Sequence, residues 1–267
     1  MPVIHPTAII GKNVQLDDSV EIGPYTVIED NVSIGADTKI LGQCRICSYT
    51  EIGSGNKIYP FAAIGGDPHD YSFDITKGAS FTKIGNNNLI HEYVTIQRGA
   101  HPGTTTEVGN DNFFMAMAHV AHNCQIGNHV IIACGSLCAG YVQVQDNALV
   151  SGNCCVHQFC RVGRFAVLSG GSSISVDLPP FMIGDGRNGG VRSFNKVGLS
   201  RAGWTKEEIR VVRNIYDIFF RQGLNMSNAR KKVEETIPRC PITDEFFAFL
   251  EQAKRGILSG RDSGRRS

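Results

Sequence analysis

The sequence predicts a mainly β protein: a left-handed parallel β-helix of six-residue repeats with an α-helical domain at its C-terminus. Three observations support this prediction. An aliphatic residue recurs at every sixth position through most of the first 174 residues, a glycine often follows it, and beyond residue 205 the spacing becomes that of amphipathic helices. In a repeat this short, each unit buries its apolar side only by stacking on the next.

The first run of the repeat continues without a slip from Ile4 to Ile64. The residue two places before each aliphatic position is usually small or β-branched, as at Ala8 and Val14. One inward aliphatic side chain per six residues suits a short strand followed by a turn, and three such strands close one triangular coil. The aliphatic positions are Ile4, Ile10, Leu16, Ile22, Ile28, Ile34, Ile40, Ile46, Ile52, Ile58 and Ile64.

Two segments break the period, and we expect both to leave the coil as loops. They lie near residues 66–83, within "GGDPHDYSFDITKGASFTK", and near 98–107, "RGAHPGTTTE". Between them the repeat resumes at Ile84, Ile90 and Ile96. After them it runs in register through Val108, Phe114, Val120, Ile126, Ile132, Cys138, Val144, Val150, Val156, Val162, Leu168 and Ile174.

The C-terminal part follows the helical period. Thr205 and Glu208 form a capping box before an apolar stripe, and two more helices are predicted near 226–237 and 243–255. We therefore assign 1–186 to the β-helix and 187–267 to a helical domain. Its last residues, "GRDSGRRS", are basic and have the composition of a disordered tail.

Composition narrows the classes of function. A net charge of +1 gives no general attraction to nucleic acid or membrane. The N-terminal residues do not resemble a signal peptide and no apolar run of 18 residues is present, so we expect a cytoplasmic protein without a membrane span. Nine cysteines, an odd number, fit reduced thiols, and the single CxxC of Cys44 and Cys47 lacks the second pair typical of zinc sites.

The 18-residue coil predicts which residues meet. His122 should stack beside Gly140, and Gly140 beside Gln158, with His157 next to this column. Acyl transfer needs a base to remove a proton and an unobstructed N–H group to hold the developing oxyanion. An imidazole beside a glycine offers both.

Other interpretations of the histidines stay open at this point. Polar residues are common at β-helix corners, so these histidines could be structural or solvated. Neutral imidazoles also bind zinc, as in trimeric β-helices that resemble γ-carbonic anhydrases. That family separates its histidine pair by four residues, however, and His91 and His101 fall in the wrong places for its third ligand. A scaffold without catalysis is the third possibility.

Eight motifs resemble, in order and spacing, the UDP-N-acetylglucosamine acyltransferases that start lipid A synthesis, over nearly the whole chain. They are "HPTAIIGKNV", "IGGDPHDYSF", "IGNNNLIHEYVTIQRG", "AHVAHNCQIGN", "AGYVQV", "VHQFCRVG", "DLPP" and "FNKVGLSRAGW". The resemblance implies a homotrimer with active sites between neighbouring β-helices. It also implies transfer of an R-3-hydroxyacyl group from acyl carrier protein to the 3-hydroxyl of UDP-N-acetylglucosamine, without a metal or a cofactor of its own.

The resemblance also implies roles for single residues. His122 matches the general base and Gly140 the oxyanion donor, while Gly170 matches the position that sets acyl-chain length. The residues implied in substrate binding are His69, Asp70, His119, Asn123, Tyr141, His157, Gln158, Asn195 and Arg201. Acyl carrier protein is acidic, so the basic residues Arg210, Arg213, Arg221, Lys231 and Lys232 are candidates for its docking face.

The chain departs from the family pattern at several of these places. Asn123 replaces a usual Asp and Tyr141 a usual His, while Ser72, Val197 and Ala202 replace a usual Lys, Glu and Arg. These changes leave open a 3-amino sugar as acceptor. Tyr141 could instead stack on Phe159.

Transfer is expected to be direct, because Cys124 and Cys138 occupy inward positions and should be inert. The related N-acyltransferase of the same pathway carries an additional N-terminal domain, for which a repeat that begins at Ile4 leaves no room.

Overall fold

The computed structural model describes residues 1–187 and 190–260. Strands of mostly two residues succeed one another at intervals of six. In chain order they are β1 (Val3–Ile4), β2 (Ile9–Ile10), β3 (Gln15–Leu16), β4 (Glu21–Ile22), β5 (Val27–Ile28), β6 (Ser33–Ile34), β7 (Lys39–Ile40), β8 (Arg45–Ile46), β9 (Thr50–Ile52), β10 (Lys57–Ile58), β11 (Ala63–Gly66), β12 (Phe81–Ile84), β13 (Leu89–Ile90), β14 (Thr95–Gln97), β15 (Thr105–Val108), β16 (Phe113–Phe114), β17 (His119–Val120), β18 (Gln125–Ile126), β19 (Ile131–Ile132), β20 (Leu137–Cys138), β21 (Gln143–Val144), β22 (Leu149–Val150), β23 (Cys155–Val156), β24 (Arg161–Val162), β25 (Val167–Leu168), β26 (Ser173–Ile174), β27 (Met182–Asp185) and β28 (Gly190–Phe194).

Each strand pairs in parallel with the strand three places along the chain, so three sheets form the sides of a prism. Sheet A contains β1 and every third strand to β25, then β27 and β28; sheet B runs from β2 to β26 and sheet C from β3 to β24. His119 pairs with Leu137, and Leu137 with Cys155, each 18 residues further on. The predicted left-handed parallel β-helix is confirmed.

The interior of the prism is filled by the residues that the six-residue period predicts. Ile28, Ile46, Ile58 and Ile64 are each fully buried at the second position of a strand or its equivalent. Burying one such side chain stabilises a fold by about 1.5–3 kcal/mol. The residue two places earlier is also buried, so each repeat contributes two side chains to the core.

A ladder of buried asparagines interrupts this apolar filling, and the sequence pattern did not predict it. Asn56, Asn88 and Asn112 occupy inward positions one coil apart. The Asn88 side chain donates to Asn56 Oδ1 at 2.9 Å, and its own Oδ1 accepts the backbone N–H of Asn112 at 2.9 Å. Mutual hydrogen bonding makes these polar side chains compatible with burial.

The corner between sheets B and C positions the site. Here the residue at the turn takes a left-handed conformation, with φ of 59° at Asn123, 61° at Tyr141 and 65° at Phe159. Both loop excursions leave the prism at this same corner, because one joins β11 of sheet B to β12 of sheet C and the other joins β14 to β15. A single turn of 3₁₀ helix, Ile75–Lys77, lies in the first.

Four helices follow the strands: α1 (Lys196–Arg201), α2 (Lys206–Arg221), α3 (Met226–Thr236) and α4 (Pro241–Glu251). The last three correspond to the predicted helices, and the predicted capping box of Thr205 and Glu208 is present at the start of α2. The sequence pattern missed α1 and the hairpin of β27 and β28. The boundary at residue 186 stays a prediction, and the predicted tail at 261–267 lies outside the described residues.

Buried ion pairs secure the C-terminal part. Arg161 lies 2.7 Å from Asp177 and donates through Nη2 to the carbonyl oxygen of Phe249 in α4. In the hairpin, Asp185 is 1% exposed and accepts from Arg187 and Arg192. The Arg187 hydrogen bonds lower the pKa of Asp185 to about 2. No helix in the described ranges has both the length and the apolar character needed to cross a bilayer.

Candidate active site

A groove of about 670 Å³ runs along the outer face of sheet B. Its lower end is polar, and its upper part is mostly apolar. The lining residues, from lower to upper coils, are His69, Gln97, His119, Ala121, His122, Leu137, Ala139, Gly140, Cys155, Val156, His157, Gln158, Ser173, Ile174 and Ser175. A larger groove of about 1270 Å³ lies between sheet C and α4, but none of the predicted site residues lines it.

His122 and Gly140 meet as the coil arithmetic predicts. A methyl group placed on Gly140 would lie 2.6 Å from Cε1 and 2.7 Å from Nε2 of His122, so the imidazole packs directly on the glycine. The N–H of Gly140 donates to no described residue, whereas the next N–H, that of Tyr141, donates to the carbonyl oxygen of His122 at 3.0 Å. A base and an open donor therefore lie side by side.

Asn123 determines which nitrogen of His122 is the base. Its Oδ1 accepts the backbone N–H of Ala100, in the second excursion, at 2.9 Å, and lies 3.0 Å from His122 Nδ1. An atom that accepts from an N–H is the amide oxygen, so His122 Nδ1 must carry a proton and donate it. Nε2 then holds the lone pair, and it is the nitrogen beside Gly140.

His119 and the first excursion form the polar lower end. The ring of His119 stacks on His69, with ring centroids 5.7 Å apart, and Thr95 Oγ1 lies 2.7 Å from its Nδ1. Burial lowers the pKa of His119, with smaller contributions from the neighbouring His69 and His122, so this ring is neutral at neutral pH. Asp70 follows directly, and the backbone N–H and hydroxyl of Ser72 lower its pKa.

Tyr141 and Phe159 lie across the corner from the groove. Their rings stack at 4.9 Å, the arrangement that the sequence suggested, and Tyr141 meets His122 edge-on at 5.3 Å. With Asn123 they line a second groove of about 560 Å³ that also contains Arg255. Asn123 and Tyr141 are therefore next to the base, and neither lines the sheet B groove.

The thiols of Cys124 and Cys138 are fully buried, as predicted. Burial raises the pKa of Cys124 to about 12 and that of Cys138 well above its ordinary value, which leaves both inert as nucleophiles. Cys155 is different: it is exposed and lines the groove, which the sequence analysis did not notice. In the described part of the chain, no group of three or more histidine, cysteine or acidic residues is arranged to hold a metal.

Comparison with known proteins decides the family. The C-terminal region, 177–258, matches a family model described as UDP N-acetylglucosamine O-acyltransferase, domain 2, and residues 25–60 and 105–140 match bacterial transferase hexapeptide repeats. An acyl carrier protein–UDP-N-acetylglucosamine O-acyltransferase of Janthinobacterium sp. is 41% identical over 263 residues, covering 97% of this chain and 100% of the relative. A similarly named protein of Paraburkholderia phymatum is 43% identical over 266 residues, covering 97% of this chain and all of the relative.

This chain belongs to the UDP-N-acetylglucosamine O-acyltransferase family.

Solved structures agree. The UDP-N-acetylglucosamine acyltransferase of Francisella novicida superposes with a TM-score of 0.92 at 34% identity, covering 97% of this chain and 95% of that one. The enzyme of Bacteroides fragilis superposes with a TM-score of 0.85 at 40% identity, covering 96% and 98%. The chain is accordingly an O-acyltransferase of this family, and its fold matches from the first coils to the helices.

Three predicted site residues of the acyltransferase lie away from the groove of their own chain. Gly170 is exposed at the corner before β26. Asn195 is the N-cap of α1, where its Oδ1 accepts from Gly198 and its Nδ2 donates to the carbonyl oxygen of Phe165. Arg201 is exposed at the end of the same helix. The side chain of Asn195 is thus already occupied within the chain, and the predicted nucleotide contacts of Asn195 and Arg201 stay predictions.

Gln97 is the groove residue that sequence reasoning missed. It ends β14 on the outer face of sheet B, and its Oε1 accepts the backbone N–H of His122 at 3.3 Å. The excursion that follows it shifts the frame, so that β14 pairs with β17 at a separation of 24 residues, as in Thr95 with His119. Counting by 18 therefore does not bring Gln97 to the His122 column.

Proposed function

We propose that His122 is the general base, and Gly140 the oxyanion donor, in acyl transfer to UDP-N-acetylglucosamine. Acylation of this sugar nucleotide from acyl carrier protein, the first step of lipid A synthesis, follows from family membership. The residue roles are the proposal. The observation that supports them best is the contact of His122 Nε2 with Gly140, whose N–H makes no hydrogen bond with a described residue.

The reaction proceeds by direct transfer in this proposal. Nε2 of His122 takes the proton of the glucosamine 3-hydroxyl while the oxygen attacks the thioester carbonyl of the R-3-hydroxyacyl donor. The N–H of Gly140 donates to the tetrahedral oxyanion. When the C–S bond breaks, the protonated imidazole returns its proton to the leaving thiolate of the phosphopantetheine arm. Base and donor both come from the chain, so the step needs no prosthetic group or metal.

Asn123 orients the base without adding charge. Its Oδ1 holds His122 Nδ1–H, so the imidazole presents Nε2 throughout the reaction. An amide does not stabilise the imidazolium as a carboxylate would, because it carries no negative charge. Catalysis then depends mainly on position and on the oxyanion donor.

The groove divides into two parts that suit the two substrates. Leu137, Ala139, Val156 and Ile174 give its upper part an apolar lining, which suits the acyl chain. His157 and Gln158 border this part at the corner, and we assign them the orientation of the thioester. Gly170, one corner away in the upper coils, is assigned the control of acyl length.

The polar lower end suits the sugar. Asp70 is held as a carboxylate by Ser72, and His69 and His119 stack beside it. Carboxylate and imidazole groups are suitable partners for sugar hydroxyls. Asn195 and Arg201 would grip the nucleotide from a neighbouring subunit, where a guanidinium is well suited to a phosphate.

We further propose that the enzyme is a cytoplasmic homotrimer. An edge between sheets A and B carries exposed apolar side chains: Tyr25 is 66% exposed, Tyr93 54% and Met117 62%. Exposed apolar patches of this kind mark protein interfaces, and light scattering on the purified protein measures the mass directly. Nine free cysteines support a reducing compartment. The basic side chains proposed for carrier-protein docking, Arg210, Arg213, Arg221, Lys231 and Lys232, are all exposed.

The His122→Ala variant tests the proposal. Transfer from hydroxyacyl carrier protein to UDP-N-acetylglucosamine should fall by at least about 1,000-fold, since base and geometry are lost together. His129→Ala is the control, because His129 is exposed and outside the groove. Mass spectrometry identifies the product and its ester or amide bond. A His122→Ala enzyme that turns over like the His129→Ala enzyme would refute the assignment.

A further inference from the structure

Gln97 places an unused hydrogen-bond donor in the groove. The side chain is 4% exposed, and its Oε1 is occupied by the backbone N–H of His122. Its Nε2 donates to no described residue. A buried amide group without a partner costs free energy, so an unpaired one at a binding site indicates a missing ligand atom.

The location of this donor separates it from the other unpaired polar atoms. In residues 1–187 and 190–260, the remaining buried side-chain atoms without a partner are in Thr26, Thr50, Ser80, Thr82 and Asn112. None of those residues lines the groove, whereas Gln97 lines it together with His119 and His122. The donor is therefore at the place where substrate binds.

The order of the coils assigns the donor to the sugar. Gln97 lies one coil before His122, and Gly140 lies one coil after it. The apolar lining begins at Leu137 and continues upward, away from Gln97. An acyl chain in the upper part leaves the lower part to the acceptor. When the sugar 3-hydroxyl lies at Nε2 of His122, the neighbouring sugar carbons face the level of Gln97.

The chemistry of the group narrows the atom further. Since Oε1 is already hydrogen-bonded, the free end of Gln97 can only donate. Next to the 3-position, the acceptor sugar carries an acetamido group at C2, whose carbonyl oxygen can only accept. We propose that Gln97 Nε2 donates to this carbonyl oxygen and thereby selects an N-acetylated sugar. The inference rests on the proposed role of His122.

The test compares two acceptors and two variants. UDP-glucose lacks the acetamido group and keeps the 3-hydroxyl, so it reports binding without the proposed contact. Gln97→Leu removes both ends of the amide. Gln97→Glu keeps an oxygen for the His122 N–H and replaces the donor by an acceptor. Gln15→Leu, exposed on sheet C, is the control for the chemical change.

Dissociation constants from calorimetry provide the primary result. The affinity of Gln97→Leu for UDP-N-acetylglucosamine should fall about 10- to 100-fold, and that for UDP-glucose less than about threefold. Gln97→Glu should lose at least as much selectivity. In turnover, the change should raise KM for UDP-N-acetylglucosamine more than it lowers kcat.

Two outcomes overturn the inference while leaving the proposed function intact. One is an equal loss of affinity for both acceptors in Gln97→Leu and Gln97→Glu. The other is a lower kcat at unchanged KM, which would place the donor at the reacting carbonyl. Failure of the proposed function is distinct, since it appears as undiminished transfer by His122→Ala in the same assays.

Discussion

Gly140→Ala is the sharpest test of the site, because its effect follows from one measured contact. The new methyl group would lie 2.6 Å from His122 Cε1, whereas carbon atoms in van der Waals contact are about 3.5–4.0 Å apart. The imidazole must therefore move by about 1 Å. A displacement of this size in a catalytic group can cost about 100-fold in rate. We expect kcat/KM to fall by at least that factor.

The fold should survive this change. The clash involves the far end of a side chain at the groove and no backbone atom, so the coil can keep its conformation. Gly152→Ala is the matched control, since a methyl group there would meet its nearest atom, the carbonyl oxygen of Cys134, at an ordinary 3.5 Å. Both variants are assayed for transfer of the hydroxyacyl group, and their thermal unfolding is compared with wild type.

The expected pattern is loss of turnover in Gly140→Ala alone, with similar melting temperatures in both variants. The double variant His122→Ala/Gly140→Ala should be no worse than His122→Ala, because the clash disappears with the ring. A Gly140→Ala enzyme with nearly wild-type kcat would refute the reasoning. It would mean that the reactive imidazole does not rest on residue 140 during catalysis.

Three further predictions concern charge and access. Asn123→Asp places a carboxylate on Nδ1 of His122, which favours the protonated ring, so the acidic limb of the pH–rate profile should move to higher pH; an unchanged limb would argue against the hydrogen bond. Iodoacetamide should inhibit by alkylating Cys155 in the groove, Cys155→Ser should resist and Cys134→Ser should not; equal sensitivity of all three would place the acyl chain elsewhere. The pKa of Asp185, about 2 when folded against 3.8, contributes about 2 kcal/mol of stability above roughly pH 4 that is lost as pH falls towards 2. Asp185→Asn should therefore lower the free energy of unfolding by about that amount at pH 7, and the difference should vanish near pH 2.

The fold could be predicted because its signal is local and repeated. Each aliphatic position, such as Ile28 or Ile46, specifies a strand six residues from the next, and the sum admits one architecture. The contact of His122 with Gly140 could be predicted for the same reason, since no insertion separates their coils. Counting fails wherever an excursion changes the separation of paired strands, as between β14 and β17. Gln97 and the link from Ala100 to Asn123 both depend on that excursion.

The two excursions explain why chemistry arises at this corner of a regular prism. At an ordinary corner, a side chain from a neighbouring coil accepts the first free N–H, as Asp30 does for Lys12 at 2.7 Å. At the site, Gln97 accepts this N–H from His122, and the next coil leaves the N–H of Gly140 without a partner. The second excursion supplies the Ala100 N–H that orients Asn123, and the first brings His69 onto His119. One glycine and two insertions thus convert a structural hydrogen-bond ladder into a base, an oxyanion donor and a polar sugar pocket. The same loops are the part of the chain where substitutions should alter acceptor choice without disturbing the coils.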